Sequence, residues 1–245
     1  MSQLSAPLPS EIMLRVAALN AYYGRAHILF DVGLEVRHGE VVALMGRNGA
    51  GKSTTMKALM GLLDHAQGQV EFRGRDISRA RTHQIARMGI GYVPEDRRIF
   101  TDLTVLQNLE VGRQPPRADG VNWTPQQLFS LFPNLGAMPR RGGAQMSGGE
   151  QQMLTVARTL MGNPYLLLLD EPSEGVAPVI VEQMAEMILQ LKRAGMAILL
   201  SEQNLHFAAL VSDRAYVLEN GRVRYQGTMQ ELQADDALQR AYLSL

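Results

Sequence analysis

Gly46-Arg47-Asn48-Gly49-Ala50-Gly51-Lys52-Ser53 is the stretch from which the rest of the chain can be read. Glycine reaches backbone conformations that other residues avoid, so a loop this rich in it can turn several N–H groups toward one anion. Before it stands Val41-Val42-Ala43-Leu44, a short apolar run of the kind found in strands buried on both faces. After it, Met56, Leu59, Met60 and Leu63 fall at i, i+3, i+4 and i+7, the apolar stripe of a helix. A helix beginning near Lys52 would add the positive end of its dipole to the loop. Strand, glycine loop and helix in that order predict a phosphate-binding loop. The backbone of Gly46, Arg47, Asn48, Gly49, Ala50, Gly51 and Thr54 would surround the phosphates of a nucleotide. Lys52 would reach the β- and γ-phosphates, and the Ser53 hydroxyl would bind Mg2+.

Two more segments carry chemistry. Leu166-Leu167-Leu168-Leu169-Asp170-Glu171 reads as a buried strand that delivers Asp170 at its carboxyl end, where open α/β sheets bind ligands. Asp170 is the candidate Mg2+ ligand, and Glu171 the candidate general base for an attacking water. A helix N-cap is the ordinary account of one acid after an apolar run, but Asp170-Glu171-Pro172 downstream of a phosphate loop favours the catalytic one. Met146-Ser147-Gly148-Gly149-Glu150 opens a helix whose apolar face holds Met153, Val156, Ala157 and Leu160. Ser147 and two glycines at a helix start repeat the physics of the first anion site. One nucleotide needs one phosphate loop, so the second site points to two chains placed head to tail, each capping the other's nucleotide.

Composition sets the outer limits. The 245 residues suit one large domain or a core with a smaller subdomain. The 46% hydrophobic and 20% charged content is that of a folded globular chain. Lys+Arg and Asp+Glu both number 24, and a formal net charge of zero weighs against nucleic acid as a partner. The absence of cysteine excludes disulfides, thiolate metal sites and a thiol nucleophile. Met1-Ser2-Gln3-Leu4-Ser5-Ala6-Pro7 does not read as a signal peptide, and no apolar run approaches the about 20 residues that cross a bilayer. Any membrane role is therefore expected to be peripheral.

The remaining pattern is strand–helix alternation interrupted once. Residues 28–36 partly alternate, as in a sheet, and turn at His38-Gly39-Glu40. From 96 to about 145, Pro115-Pro116, Trp123, Pro133, Pro139 and Gly142-Gly143 break the pattern around two helical stretches, 103–109 and 126–132. This predicts a helical insertion. Alternation resumes with a helical stripe at Val181, Met184, Ala185 and Ile188 and a strand at 197–200, and Asn220-Gly221 predicts a hairpin. Arg73, Arg75, Arg79, Arg81 and Arg87 read as a solvated face, and the 14 methionines mostly as core.

These motifs resemble the ATP-binding cassette (ABC) ATPases, from about Leu14 to the C-terminus. Gly46 to Ser53 and Leu166 to Glu171 resemble the family's two Walker motifs, and Ser147 to Gln151 its signature. The resemblance implies an α/β P-loop NTPase with a RecA-like core, an antiparallel β subdomain and a helical subdomain. It implies one ABC ATPase domain over 12–241 with the helical subdomain at 96–160, after a flexible segment 1–11. It implies ATP and Mg2+ as ligands, with Ser147, Gly148, Gly149 and Glu150 acting on the other chain's ATP. Tyr23 matches the aromatic residue that stacks on adenine, with Tyr22 as the adjacent alternative.

A nearer likeness is to the F-type ATPase of branched-chain amino acid importers, carried by 46–55, 91–100, 170–178 and Ser201-Glu202-Gln203-Asn204. Urea and short-amide importers share it. It implies a second ABC ATPase subunit (a heterodimer first, a homodimer as the alternative), integral membrane permeases and, indirectly, a periplasmic solute-binding protein. The place implied is the cytoplasmic face of the cell membrane. Three positions depart from the wider family. Glu95 stands at the usual glutamine that binds Mg2+ and senses the permease. Gln203 stands at the usual switch histidine, keeping a hydrogen-bond donor but no charge. Ser173-Glu174-Gly175-Val176 lacks the usual aspartate. Weak hydrolysis by the chain alone is the consequence expected. His206 reads as an ordinary helix residue, and Arg97 and Arg98 as borders of a permease groove.

Overall fold

A computed structural model describes residues 12–243. The expected flexible segment 1–11 lies outside the described residues. The chain opens with β1 (Ile12–Tyr23), β2 (Ala26–Arg37) and β3 (Val41–Met45), then α1 (Lys52–Leu59). β4 (His65–Phe72), β5 (Arg75–Asp76), α2 (Thr82–Met88) and β6 (Ile90–Val93) follow. The insertion holds α3 (Val105–Gly112), α4 (Pro125–Leu131), α5 (Pro133–Gly136) and α6 (Gly148–Leu160). The core then resumes with β7 (Leu166–Asp170), α7 (Pro178–Arg193), β8 (Ala197–Glu202) and α8 (Leu205–Val211). β9 (Arg214–Glu219), β10 (Arg222–Thr228), α9 (Met229–Ala234) and α10 (Asp236–Tyr242) complete it.

Two sheets result. β2-β1-β4-β5 is antiparallel, and β10-β9-β3-β8-β7-β6 is parallel except for its last hairpin. The period of two in the parallel strands sorts the core. Leu166 and Leu168 of β7 and Ala197 and Leu199 of β8 pack against the antiparallel sheet and α1. Leu167, Leu169, Ile198 and Leu200 face the opposite way, onto α6 and α7. The four leucines of β7 are fully buried, each worth about 1.5–3 kcal/mol against exposure. This double-sided burial is why the strand reads as an unbroken apolar run.

The α/β class, the helical insertion and the hairpin stand as expected. Asn220 and Gly221 both have positive φ, 48° and 73°, as a two-residue turn of this type requires. One expectation needs correcting. Helix α1 ends at Leu59, with Met60 as its cap, because Gly61 takes a left-handed φ of 63°. Leu63 therefore lies beyond the helix, though it still packs on the same core. β4 went unanticipated because five of its first six residues are exposed and show no alternation.

Candidate functional site

Loop 46–53 runs from the end of β3 into α1, which begins at Lys52. Gly51 holds a left-handed φ of 112°, and a Cβ there would strike Leu29 of the antiparallel sheet. The Asn220-Gly221 hairpin supports the loop from behind, with the Gly221 N–H donating to the Ala50 carbonyl at 2.9 Å. The remote hairpin thus holds the glycine loop in shape.

Lys52 is 3% exposed, and its ammonium points back over its own loop. It donates to the carbonyls of Gly46 at 2.8 Å and Arg47 at 3.2 Å, and pairs with Glu171 Oε1 at 3.0 Å. A buried cation of this kind needs such partners. Asp170, at the end of β7, is fully engaged. Its Oδ1 accepts from Ser53 Oγ at 3.0 Å and Ser201 Oγ at 2.6 Å, and its Oδ2 from Tyr92 at 3.1 Å. β8 lies between β3 and β7, so Ser201 bridges the strand that carries the loop and the strand that carries the acid.

Glu171 follows with a φ of 47°, a left-handed conformation that costs a non-glycine residue about 1–2 kcal/mol. Its backbone N–H is held by the Ser201 carbonyl at 3.1 Å. Burial pushes its carboxyl up, but hydrogen bonding to Glu174 and the Lys52 ammonium outweigh burial and leave it below the usual value. The Glu174 carboxyl, hydrogen-bonded to Glu171 and partly desolvated, is pushed up to about 7. The two acids thus divide the work, one ionised and one holding its proton near neutral pH.

A cavity of about 460 Å3 opens at this point, within the usual range for a small-molecule site. Asn48, Gly49, Gly51, Lys52, Ser53 and Thr54 line one side, and Tyr23 and Ile28 a second. Glu95, Glu171 and Glu174 complete it. Tyr23 is 47% exposed at the mouth, whereas Tyr22 stacks on His27 with centroids 4.2 Å apart. The geometry therefore favours Tyr23 over its neighbour as a platform for a ring. Gly46, Arg47 and Ala50 shape the loop without lining the cavity. Gly46 offers its carbonyl to Lys52, Arg47 reaches the Arg240 and Ala241 carbonyls at 3.4 Å, and Ala50 receives the hairpin.

The oxygens of Ser53, Asp170 and Glu95 are the hard donors that suit Mg2+. Among the described residues no three His, Cys, Asp or Glu side chains form a metal cage.

The other candidates lie elsewhere. Ser147 caps α6 and is exposed. Its hydroxyl accepts from the Glu150 N–H at 3.4 Å, while Glu150 accepts from the Ser147 N–H at 2.7 Å. None of Ser147, Gly148, Gly149 and Glu150 lines the cavity. Gln203 is also exposed and outside the lining, with its N–H turned to Glu202 at 3.2 Å. Arg97 is tied within its own chain. It donates to the Glu174 and Gly175 carbonyls, both at 3.0 Å. Sequence reasoning missed Tyr92, Ser201, Glu174 and the buried Glu202, whose carboxylate holds the Ser173 N–H at 3.1 Å. Glu174 alone carried a signal, as an acid three residues after Glu171.

A second opening of about 610 Å3 lies between the core and the insertion, lined in part by Met60, Leu62, Tyr92, Phe100, Val111 and Arg158. Leu62, Phe100 and Val111 are about half exposed there. Among the described residues no helix is long and apolar enough to cross a membrane.

The model of the ABC transporter family matches residues 29–174. The branched-chain amino acid transport ATP-binding protein BraG of Pseudomonas aeruginosa is 43% identical over 94% of this chain and 99% of its own length. The lipopolysaccharide export ATP-binding protein LptB of Escherichia coli K12 is 35% identical, over 91% and 93%. In structure, the ADP conformation of the ABC transporter cassette MJ1267 superposes with a TM-score of 0.78 at 26% identity, covering 94% of this chain and 98% of that one. MJ0796 bound to ADP and Pi gives a TM-score of 0.75 at 21% identity, over 89% and 99%, a likeness of fold alone.

Proposed function

Because this chain belongs to the ABC transporter family, we propose that it is the ATP-hydrolysing subunit of an importer for branched-chain or other hydrophobic amino acids. The observation that carries this reading is the 460 Å3 cavity where Tyr23, Lys52, Ser53, Glu95 and Glu171 converge. Importer rather than exporter follows from the stronger and longer match to BraG than to LptB.

ATP enters with adenine on Tyr23 and its phosphates against the N–H groups of 46–54 and the start of α1. The phosphates compete with Glu171 for the Lys52 ammonium. Once Lys52 turns to them, Glu171 loses the cation that held its proton affinity down and becomes a stronger base. It takes a proton from water as the water oxygen bonds to the γ-phosphorus. The bridging P–O bond breaks and ADP leaves with the electron pair. Ser53, Asp170 and Glu95 would hold Mg2+, which neutralises charge on the phosphate oxygens.

Ser147, Gly148 and Gly149 complete the site from a second cassette chain, with Ser147 giving up its local cap to reach the γ-phosphate, and Gln203 donates to the same group. The second cassette is a different ATPase in the first instance. Integral permease subunits seat a helix in the groove at Phe100 and Val111, at the cytoplasmic face of the membrane, and a periplasmic binding protein delivers the solute. The test is to tag the chain, solubilise membranes and measure ATPase activity of the purified assembly. Co-purification of an integral membrane protein and stimulation by a loaded branched-chain amino acid binding protein are expected. A chain recovered alone, or activity indifferent to the solute, would contradict the reading.

A further inference from the structure

Arg97 has no place in the mechanism above, yet it joins three segments that matter to it. Its guanidinium donates to the Glu174 and Gly175 carbonyls, both at 3.0 Å, in the loop that follows Glu171. The same group lies against Gly148 at the start of α6, so closely that a Cβ on Gly148 would run into it. Its backbone leaves Glu95, which lines the nucleotide cavity, and arrives at Phe100, which lines the groove. The next residue is held as well, since Arg158 from the groove wall donates to the Arg98 carbonyl.

The conformation of Arg97 is itself informative. Its φ is 46°, a left-handed value that glycine adopts freely and a long side chain does not. Such a residue persists only where its surroundings over-determine it. Two charge-assisted bonds from one guanidinium nitrogen, Nη2, to adjacent carbonyls do that here. The loop they hold begins at Glu171, itself left-handed at 47°, and carries Glu174, whose N–H donates to the Glu171 carbonyl at 3.2 Å. A displacement of 95–100 must therefore drag the 174–175 carbonyls with it or break both bonds.

We propose that Arg97 is a positioning residue for hydrolysis: it ties the loop bearing Glu171 and Glu174 to the segment lining the groove, so that an occupant of the groove sets where the base stands. The inference rests on the ATPase reading given above. Its test uses the full chain in its purified assembly, with Arg97→Gly and Arg97→Lys. Glycine deletes the guanidinium while relieving the backbone, so the fold is kept. Lysine keeps the charge but loses the planar guanidinium that reaches the 174–175 carbonyls and lies against Gly148.

The expected result for Arg97→Gly is a fall in kcat of about 10-fold with KM for ATP within about two-fold of the parent. Stimulation by the loaded solute-binding protein should be lost, and Arg97→Lys should restore part of the rate. An unchanged kcat with stimulation intact would overturn the inference. So would a parallel loss of melting temperature, nucleotide affinity and rate, since that marks a structural role only. Glu171→Gln run alongside separates the two levels. If it abolishes turnover while Arg97→Gly is silent, only the present inference fails. If it leaves turnover normal, the ATPase reading beneath it fails too.

Discussion

Two helices in this molecule begin at glycine-rich segments, and their N-termini differ in almost every other respect. At α1 the loop 46–53 is walled in by its own chain. The cation is buried and paired, the serine is bonded to Asp170, and a cavity of about 460 Å3 stands in front. At α6, Ser147 and Glu150 satisfy each other in a reciprocal cap, the serine is exposed, and the residues lie outside that cavity. A helix start of this second kind has the donors of an anion site but no walls. The contrast separates a walled pocket from an open helix start, and it predicts that damage at the two ends will read out differently.

The largest effect should come from the α1 side. Glu171→Gln should keep ATP binding and lower turnover by about 10²–10⁴-fold, the range typical of a lost general base. Normal turnover would remove Glu171 from that role. Lys52→Ala should weaken nucleotide binding by the chain alone, by about 10–100-fold, as loss of charge-assisted bonds does. Binding titrations with a fluorescent ATP analogue would show it, and unchanged affinity would count against the loop.

Ser147→Ala should behave in the opposite way. ATP affinity of the single chain should stay as it was, while turnover of the assembly falls by about 10-fold. Losing the cap should also lower the melting temperature by about 2–4 °C. A Ser147→Ala chain that binds ATP poorly on its own would collapse the distinction between the two ends.

The smallest effect concerns pH. Glu174 has a folded pKa of about 7 against an ordinary 4.5, so the folded state holds its proton more tightly than the unfolded chain does. That contribution to stability is full below about 4.5 and is lost as pH rises through 7. Glu174→Gln cannot lose the proton. Its melting temperature should match the parent at pH 5 and exceed it at pH 8, by a modest margin because the side chain is exposed and screened. Equal differences at both pH values would show that Glu174 does not share its proton with Glu171.

Much of this was legible in the sequence, for a physical reason. The glycine loop, the leucine run before Asp170 and the Asn220-Gly221 turn are local signals, because backbone sterics and burial on both faces act within a few residues. What escaped were pairings across long stretches of chain. Ser201 to Asp170, Tyr92 to Asp170 and Lys52 to Glu171 depend on strand order, which no local pattern states. Arg97 shows the limit most clearly. As a charge in a basic dipeptide it read as partner-facing, and only the fold places the 174–175 carbonyls in its reach. β4 escaped for a different reason, since its exposed first half has no apolar alternation to find.

In the proposed assembly Ser147 acts on a nucleotide held by another chain. Trapping the assembly with Mg2+, ADP and orthovanadate, then irradiating it, cuts the backbone beside the bound vanadate. Mass spectrometry of the fragments should find one cut in loop 46–53 and a second at Ser147, which the isolated chain keeps outside its own cavity. Cleavage confined to 46–53 would rule out that role and leave α6 an ordinary capped helix.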